Sequence, residues 1–326
     1  MNSLAAHPID FTPITATTRY DAQAQFESFI ASARALEPVA CGVVHPCDAI
    51  SLQGALDAAE AGLIDPVLIG PKVKIQAAAE RLGASLSGLR LVPALHSHHA
   101  ASVAAEMAAR DEVEGLMKGS LHTDEFMHAV LAERTLRTVQ RMSQISRFDV
   151  PLYHKPLFIT DPALNIRPGL AEKRDIVQNA VALLHVLGVE RPRVAILSAV
   201  EMVNPHLVST LDAAALCKMA DRGQIKGADL DGPLAFDNAI SREAARVKGI
   251  VSIVAGDADI LVAPDVESGN MLVKQLEYLA GASGAGVVLG ARIPMVLTSR
   301  ADPPRSRVAA AAMVKLVAHS YRSKRP

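Results

Sequence analysis

Short apolar runs of strand length alternate with amphipathic segments of helix length through most of this chain. This alternation limits the possible folds more than any other feature of the sequence. Strands are predicted at residues 38–44, 66–69, 89–92 and 114–118, and helices at 51–62, 73–82 and 100–110, with Gly83 ending the second helix. A strand followed by a helix, repeated several times, predicts parallel strands covered by helices on both faces.

A second series with the same rhythm begins near Leu157. Strands are predicted at residues 158–159, 194–197 and 260–263, and helices at 170–187 and 209–220. Gly188 follows the longer helix, and glycine at this place allows the left-handed conformation that commonly ends a helix. The predicted fold class is therefore α/β.

Composition limits the kinds of protein this chain can be. Its 326 residues suit two domains that each bury a core, and half of the residues are hydrophobic although aromatics make up only 3%. The formal net charge of −1 gives no global attraction to nucleic acid or to an anionic membrane. An anionic ligand would therefore have to be held by local charge.

Other features bear on location and on metals. The three cysteines, Cys41, Cys47 and Cys217, form no zinc pattern and cannot all pair, which fits a reducing compartment. The first residues do not resemble a signal peptide, and no apolar run reaches the length of a membrane span. We expect a soluble, cytoplasmic protein.

The segment from residue 259 to residue 307 predicts a strand, a helix and two strands, then a turn before a new helix. Asp302 is predicted to cap this helix, and the two prolines that follow suit its first turn. Free amides at the helix start, with Arg300, Arg305 and Arg307 alongside, predict a site for phosphate or another anion. The hydroxyl of Ser299 beside such a site suggests acyl or phosphoryl chemistry.

Five segments of the chain, in matching order, resemble one enzyme family. APDVESGNMLVKQL (263–276) and GVVLGARIPMVLTSRAD (286–302) resemble the C-terminal signature of the phosphate acyltransferases, the group of phosphate acetyltransferases and butyryltransferases. VHPCDAISLQGALDAAEAGLIDPVLIGP (44–71), KGSLHTDEFM (118–127) and GADLDGPLAFDNAIS (227–241) fit the same group. The resemblance runs roughly from Val39 to the C-terminus.

The resemblance implies a fold and a reaction. The fold is two parallel-sheet α/β/α domains like those of isocitrate and isopropylmalate dehydrogenases, with the active site in the cleft between them. We place the first domain at residues 1–156, completed by the C-terminal helix at 297–326, and the second at 157–296. The reaction is acyl-CoA plus phosphate giving acyl phosphate plus CoA. The resemblance also implies a homodimer, and no metal or cofactor beyond CoA is expected.

Catalytic residues follow from the resemblance residue by residue. Ser299 matches the serine that donates to the thioester carbonyl, and Arg300 matches the arginine that binds an anionic group. The sequence departs from the acetyl-specific pattern at two places. Ser306 stands where those relatives carry an aspartate that acts as the general base. Residues 128–129 stand where they carry a phosphate-binding arginine.

Further candidates lie where predicted strands end, the edge at which α/β sheets bind ligands. Lys118, Gly119 and Ser120 form a strand-to-helix turn suited to an anion, and His122 can move a proton near neutral pH. The remaining candidates for binding phosphate or CoA are His45, Asn165, Gly269, Asn270, Asp302, Arg305 and Ser306. For His45 a structural role in its loop competes with ligand binding, and for Asn165 stabilisation of a turn does.

Two alternative functions remain open on sequence grounds. Asp229, Asp231 and Asp237 are acidic enough to suggest magnesium and a decarboxylating dehydrogenase on the same fold, although Gly232 and Pro233 are expected to break that segment. The missing aspartate and arginine would suit a CoA-binding module without catalysis. We predict a phosphate acetyltransferase-type enzyme, with phosphate butyryltransferase as the alternative.

Overall fold

The computed structural model describes residues 20–299 and 301–323. The strands are β1 (Val39–Val44), β2 (Ile64–Gly70), β3 (Arg90–Pro93), β4 (Gly115–Lys118), β5 (Ser143–Asp149), β6 (Leu157–Thr160), β7 (Arg193–Leu197), β8 (Asp229–Leu234), β9 (Ile260–Val262), β10 (Ser283–Leu289) and β11 (Met295–Val296). The helices are α1 (Ala22–Arg34), α2 (Ala49–Glu60), α3 (Lys72–Leu82), α4 (Ser97–Ala109), α5 (Thr123–Ala132), α6 (Leu170–Val186), α7 (Val208–Asp221), α8 (Phe236–Ile240), α9 (Arg242–Val247), α10 (Val266–Tyr278) and α11 (Pro304–Ser323). A 3₁₀ turn at Arg134–Leu136 follows α5.

One 11-stranded sheet runs through the protein in the order β3-β2-β1-β4-β11-β10-β5-β6-β9-β7-β8. The first five strands in this order, β3, β2, β1, β4 and β11, are mutually parallel. The last four, β6, β9, β7 and β8, are also mutually parallel. Between the two groups, β10 and β5 pair antiparallel with their neighbours and with each other. The α/β class is confirmed, but the expectation of purely parallel strands is wrong at the centre.

The antiparallel centre has a physical reason in the connections. Only residues 290–294 join β10 to β11, and residues 150–156 join β5 to β6. A parallel neighbour needs a crossover of roughly a dozen residues, usually through a helix, so connections this short favour antiparallel pairing. The domain boundary predicted near residue 156 lies between β5 and β6, which pair with each other. The division into two domains stays a prediction.

Several predicted helix ends agree with the structure. Gly83 caps α3 in the left-handed conformation, and Gly188 after α6 also has positive φ. Helix α11 begins at Pro304, where proline is tolerated because the first helical amides have no partner within the helix. It continues to Ser323, and a run from Ala309 to Ala318 within it is almost wholly buried.

The segment expected to break at Gly232 and Pro233 is instead the strand β8. Strand β8 is the last of the sheet and pairs with β7. A proline is tolerated at such an edge because its missing amide hydrogen interrupts no second ladder. In the described part of the chain, no helix is long and apolar enough to cross a membrane.

The final helix is tied to the first part of the chain by a buried lysine. Lys315 is fully buried, and its ammonium donates to the carbonyl oxygens of Leu36 at 2.6 Å and Gly62 at 2.8 Å. These carbonyls follow the C-terminal ends of α1 and α2, where the helix dipole favours a cation. One side chain thus joins three helices.

We expect Lys315→Met to lower the free energy of unfolding by roughly 1–3 kcal/mol, because two buried carbonyl groups lose their donor while the aliphatic stem is kept. Urea unfolding followed by circular dichroism measures the change. Lys218→Met is the matched control, since Lys218 is exposed and pairs with Asp221 on the surface. Equal stability of the two variants would contradict the assigned role of Lys315.

Candidate active site

The main cavity, of about 570 Å³, lies where the sheet opens between β10 and β11. These strands pair at one position among the described residues, Val288 with Met295, and then separate. The cavity is bounded by segments that follow β4, β6 and β11, by α10 and by the start of α11. One face of β5 and residues 284–286 of β10 complete it. Neighbouring strands rotate by roughly 20–25° each, so the ends of the two parallel groups can approach the same space.

The turn after β4 supplies one wall. Lys118 and His122 line the cavity, and the ammonium of Lys118 donates to the carbonyl oxygen of Leu121 at 3.1 Å. Gly119 does not line it. A Cβ atom at Gly119 would lie 2.5 Å from the carbonyl oxygen of Val44 and 2.7 Å from that of His45, so glycine is required for close approach to β1.

Ser120 and His45 belong to the same junction and also lie outside the cavity lining. The Ser120 hydroxyl donates to the carbonyl oxygen of His45 at 2.8 Å and accepts from the amide of Cys47 at 3.2 Å. His45 is buried with a left-handed backbone, and its ring lies 3.2 Å from Ser120. Burial lowers the pKa of this imidazole. The structural interpretation of His45 fits this arrangement better than ligand binding.

Ser299 is exposed at the cavity, in a tight turn that follows β11. Its amide donates to the Asp302 carboxylate at 2.7 Å, and the Asp302 amide donates back to the Ser299 carbonyl at 3.2 Å. The predicted N-cap role of Asp302 is therefore wrong: α11 starts two residues later, and the carboxylate closes the Ser299 turn instead. Arg300, predicted as catalytic, lies outside the described residues.

Asp302 also lines the cavity, where it is partly buried. Burial raises the pKa of its carboxyl above the usual range, and the nearby Glu277 carboxylate raises it further. The Ser299 amide and the cations Lys274 and Arg307 oppose these effects without cancelling them. The carboxyl thus holds a proton more readily than an exposed aspartate does.

Lys274 and Glu277 on α10 are functional candidates that the sequence analysis did not name. Both line the cavity, and their charged groups lie 2.7 Å apart. Partial burial lowers the pKa of Lys274, but the carboxylates of Glu277 and Asp302 outweigh it and the pKa is raised. The signal was present: with Asn270 they follow the helical spacing i, i+4, i+7 that places side chains on one face.

Of the two predicted residues at the start of α10, Asn270 lines the cavity and Gly269 does not. The Asn270 amide donates to the carbonyl oxygen of Pro162 at 3.3 Å. A Cβ atom at Gly269 would lie 2.9 Å from the Asp161 carbonyl oxygen and 3.2 Å from the Pro162 Cα. Gly269 therefore allows the helix to pack on the backbone after β6, and the predicted contact with a ligand is replaced by this packing.

Asn165 is buried in a polar network and does not line the main cavity. Its side chain donates to Asp161 at 2.5 Å and to the Met142 carbonyl at 2.9 Å, and it accepts from Arg141 at 2.8 Å. Asp161 also accepts from the amide of Leu164, and burial raises its pKa despite these donors. Asn165 borders a second, adjoining cavity of about 340 Å³. Its hydrogen bonds are those of a turn-stabilising residue.

The predicted residues at the start of α11 differ in whether they line the cavity. Ser306 lines the cavity. Arg305 is exposed, forms an ion pair with Glu27 and does not line the cavity, so it does not contribute to the lining as predicted. Arg307 is buried and donates to the carbonyl oxygens of Ile50 at 3.2 Å and Ser299 at 3.3 Å. Arg307 thus helps to hold the Ser299 turn.

The acidic segment considered for magnesium has other partners. Asp229 pairs with Arg191 at 2.5 Å, and Asp237 pairs with Lys248 at 3.2 Å. Throughout residues 20–299 and 301–323, no group of three or more His, Cys, Asp or Glu side chains is arranged to hold a metal ion.

The geometry places a hydroxyl, an imidazole and two ammonium groups around one cavity. Ser299 can donate to an oxygen that gains negative charge, while Lys118 and Lys274 can attract an anion. His122 can exchange a proton at the same cavity. This set of groups suits the transfer of an acyl group to or from an anionic acceptor.

Comparison with known proteins points to the same class of chemistry. Residues 93–315 match the family model described as phosphate acetyl/butaryl transferase. The chain is 54% identical to a phosphate acetyltransferase of Rhizobium meliloti over 94% of this chain and 97% of the relative. It is 39% identical to a phosphate butyryltransferase of Clostridium acetobutylicum over 90% of this chain and 98% of the relative.

Among solved structures, a branched-chain phosphotransacylase from Enterococcus faecalis V583 superposes with a TM-score of 0.76 and 27% identity, covering 86% of this chain and 99% of that one. The chain therefore belongs to the phosphate acetyl/butyryl transferase family and is an acyltransferase.

We expect Asp302→Asn to raise the free energy of unfolding at pH 7, because the asparagine oxygen keeps the bond to the Ser299 amide and the partly buried charge is removed. The folded state favours the protonated carboxyl, so the charge begins to destabilise the protein as pH rises above the unfolded pKa of about 3.9. The gain should therefore disappear as pH falls to about 4. Urea unfolding across this pH range measures it.

Asp221→Asn is the control for this measurement, because Lys218 lowers the pKa of Asp221 and the opposite sign is expected. A loss of stability in Asp302→Asn at pH 7 would show that the Asp302 charge is favourably paired.

Proposed function

We propose that this acyltransferase is a phosphate acetyltransferase, which converts acetyl-CoA and phosphate to acetyl phosphate and CoA in a reversible reaction. The observation that carries the proposal is the exposed Ser299 hydroxyl on a cavity that Lys118, Lys274 and His122 also line. Acetyl is favoured as the acyl group because the similarity to the Rhizobium meliloti phosphate acetyltransferase exceeds that to the butyryltransferase. Phosphate butyryltransferase remains the second candidate.

Each group has a role in the chemistry. A phosphate oxygen attacks the thioester carbon, a C–O bond forms, and the C–S bond breaks to release thiolate. Ser299 donates to the carbonyl oxygen as it gains charge, and Lys118 and Lys274 hold phosphate beside it. Arg300 contributes a further cation by its family resemblance. The hydrogen phosphate loses one proton and the thiolate gains one, and His122 is placed to relay it.

Direct attack in a ternary complex is favoured over a covalent enzyme intermediate. Burial raises the pKa of Cys47 to about 11 and of Cys41 and Cys217 to about 12, so these thiols stay protonated at neutral pH. The Ser299 hydroxyl accepts from the amide of Ala301 at 3.3 Å. A nucleophilic serine would instead need a base to take its proton.

The rival functions have less support. The dehydrogenase alternative depends on Asp229, Asp231 and Asp237. Asp229 and Asp237 are paired with Arg191 and Lys248, and Asp231 accepts from the amide of Gly232. A CoA-binding module without catalysis would bind CoA and show no turnover. The homodimer, the cytoplasmic location and the absence of a cofactor other than CoA stay predictions.

Purified protein mixed with CoA and acetyl phosphate should form thioester, which is followed by its absorbance. We expect Ser299→Ala to lower kcat by roughly 10²–10³-fold, because one donor to the developing oxyanion is lost. Ser85→Ala, a change in an exposed loop, should leave the rate unchanged. Absence of thioester formation by the unmodified protein, despite binding of CoA, would favour the binding module.

Lys274→Met should raise the KM for phosphate by about tenfold or more and change kcat less, because the side chain attracts the anion before reaction. Lys218→Met is matched to it, since both lysines pair with an acid three residues further along a helix. A phosphate KM that is equal in the two variants would exclude Lys274 from phosphate binding.

A further inference from the structure

Two glycines on β10 line the main cavity, and they have different structural explanations. Gly284 and Gly286 lie two residues apart, so they share one face of the strand. A Cβ atom at Gly284 would overlap the ring of Phe148, so glycine there is explained by packing. Gly286 instead faces the small residue Ser146 on β5. It is partly exposed, whereas both adjacent residues of β10 are buried.

A side chain at Gly286 would point into the base of the cavity, in close contact with two side chains of β5. Its Cβ atom would lie 3.0 Å from the amide nitrogen of Gln144 and 3.2 Å from the hydroxyl of Ser146. Both contacts are with side-chain ends, and Gly286 has no positive φ that would require glycine. Neither the backbone conformation nor a contact with main-chain atoms therefore requires glycine at this position. We call the surface formed by Gln144, Ser146, Phe148, Gly284 and Gly286 the floor.

The floor and the charged part of the lining differ in burial and charge. Ser146 is 4% exposed and Phe148 is 1% exposed, so this end of the cavity is closed. The five floor residues carry no ionisable group. Lys118, His122 and Lys274, in contrast, are partly or fully exposed, as is Ser299. The charged groups thus surround the open side, which we call the rim.

We propose that the floor receives the acyl chain of the substrate and that Gly286 limits the chain length. This inference rests on the proposed function. CoA carries charged phosphates on a long arm, so it has to leave the cavity through the rim. Inorganic phosphate needs the cations of the rim. The acyl chain is the uncharged part of the reacting groups, and it extends from the carbonyl on the side opposite the sulfur.

The chemistry of the floor indicates a short acyl chain. A ring and two glycines offer apolar contact, but Ser146 and Gln144 add a hydroxyl and an amide that lie 3.4 Å apart. A long alkyl chain would have to cover these polar groups without replacing their hydrogen bonds. The substrates expected to fit are therefore acyl groups in the range from acetyl to butyryl.

The test compares kcat/KM for acetyl-CoA and butyryl-CoA, with phosphate as acceptor, in the unmodified enzyme and in Gly286→Ala. The added methyl group occupies space needed by the longer chain, and one methylene changes discrimination by roughly 10–200-fold. The butyryl-to-acetyl ratio should fall by at least about tenfold.

Two further variants keep the test decisive. Ser146→Gly opens the opposite side of the floor, so it should raise the ratio alone and restore it when combined with Gly286→Ala. This variant also tests the proposal if Gly286→Ala fails to fold. Gly169→Ala is the matched control, because its Cβ atom would have its nearest neighbour at 3.9 Å and Gly169 does not line the cavity.

Each outcome has one meaning. An active unmodified enzyme whose ratio does not change in Gly286→Ala or Ser146→Gly overturns this inference and leaves the proposed function intact. Equal losses for both acyl groups, with stability retained, also overturn it. An unmodified enzyme that is inactive with both substrates overturns the proposed function and this inference together.

Discussion

The separation of β10 from β11 after the pair Val288–Met295 is the constraint on which the site depends. While the strands are paired, backbone groups satisfy one another and leave no room for a ligand. Once they diverge, Ser299 continues past β11 on one side and Gly286 lies on the other. Helix α11 packs behind this opening, and Lys315 fixes it to α1 and α2. The cavity is thus a feature of how the sheet is paired.

The sequence predicts elements well where local chemistry decides them, as at Gly83, Gly188 and Pro304. It fails at β5, and the reason is physical. One face of β5 lines the cavity with Gln144 and Ser146, while the other carries Arg147, which pairs with Asp149 and stacks on the ring of Phe29. Both faces are partly polar, so the apolar alternation expected of a strand is missing. Its pairing with β10 depends on residues far away in the chain.

The residues of the candidate site are also predicted from the sequence only in part. The sequence predicts site residues at the ends of strands and at the starts of the helices that follow. Six of them lie around the main cavity: Lys118, His122, Asn270, Ser299, Asp302 and Ser306. Others at similar places, such as Gly119 and Gly269, instead fit against neighbouring backbone. A strand end brings a residue to the correct edge of the sheet, but packing of the next element decides which way it faces. Lys274 was missed because it lies within a helix.

Ser306 replaces the aspartate of acetyl-specific relatives, but another carboxylate lies nearby in the same cavity. The position where acetyl-specific relatives carry an aspartate holds a hydroxyl here, yet Asp302 lines the same cavity four residues earlier. Burial raises the pKa of that carboxyl, which brings it closer to the range in which proton exchange is useful at neutral pH. Its bond to the Ser299 amide also fixes the turn that presents the hydroxyl. Replacing the carboxylate by an amide separates these two effects, because only the charge and the exchangeable proton are lost.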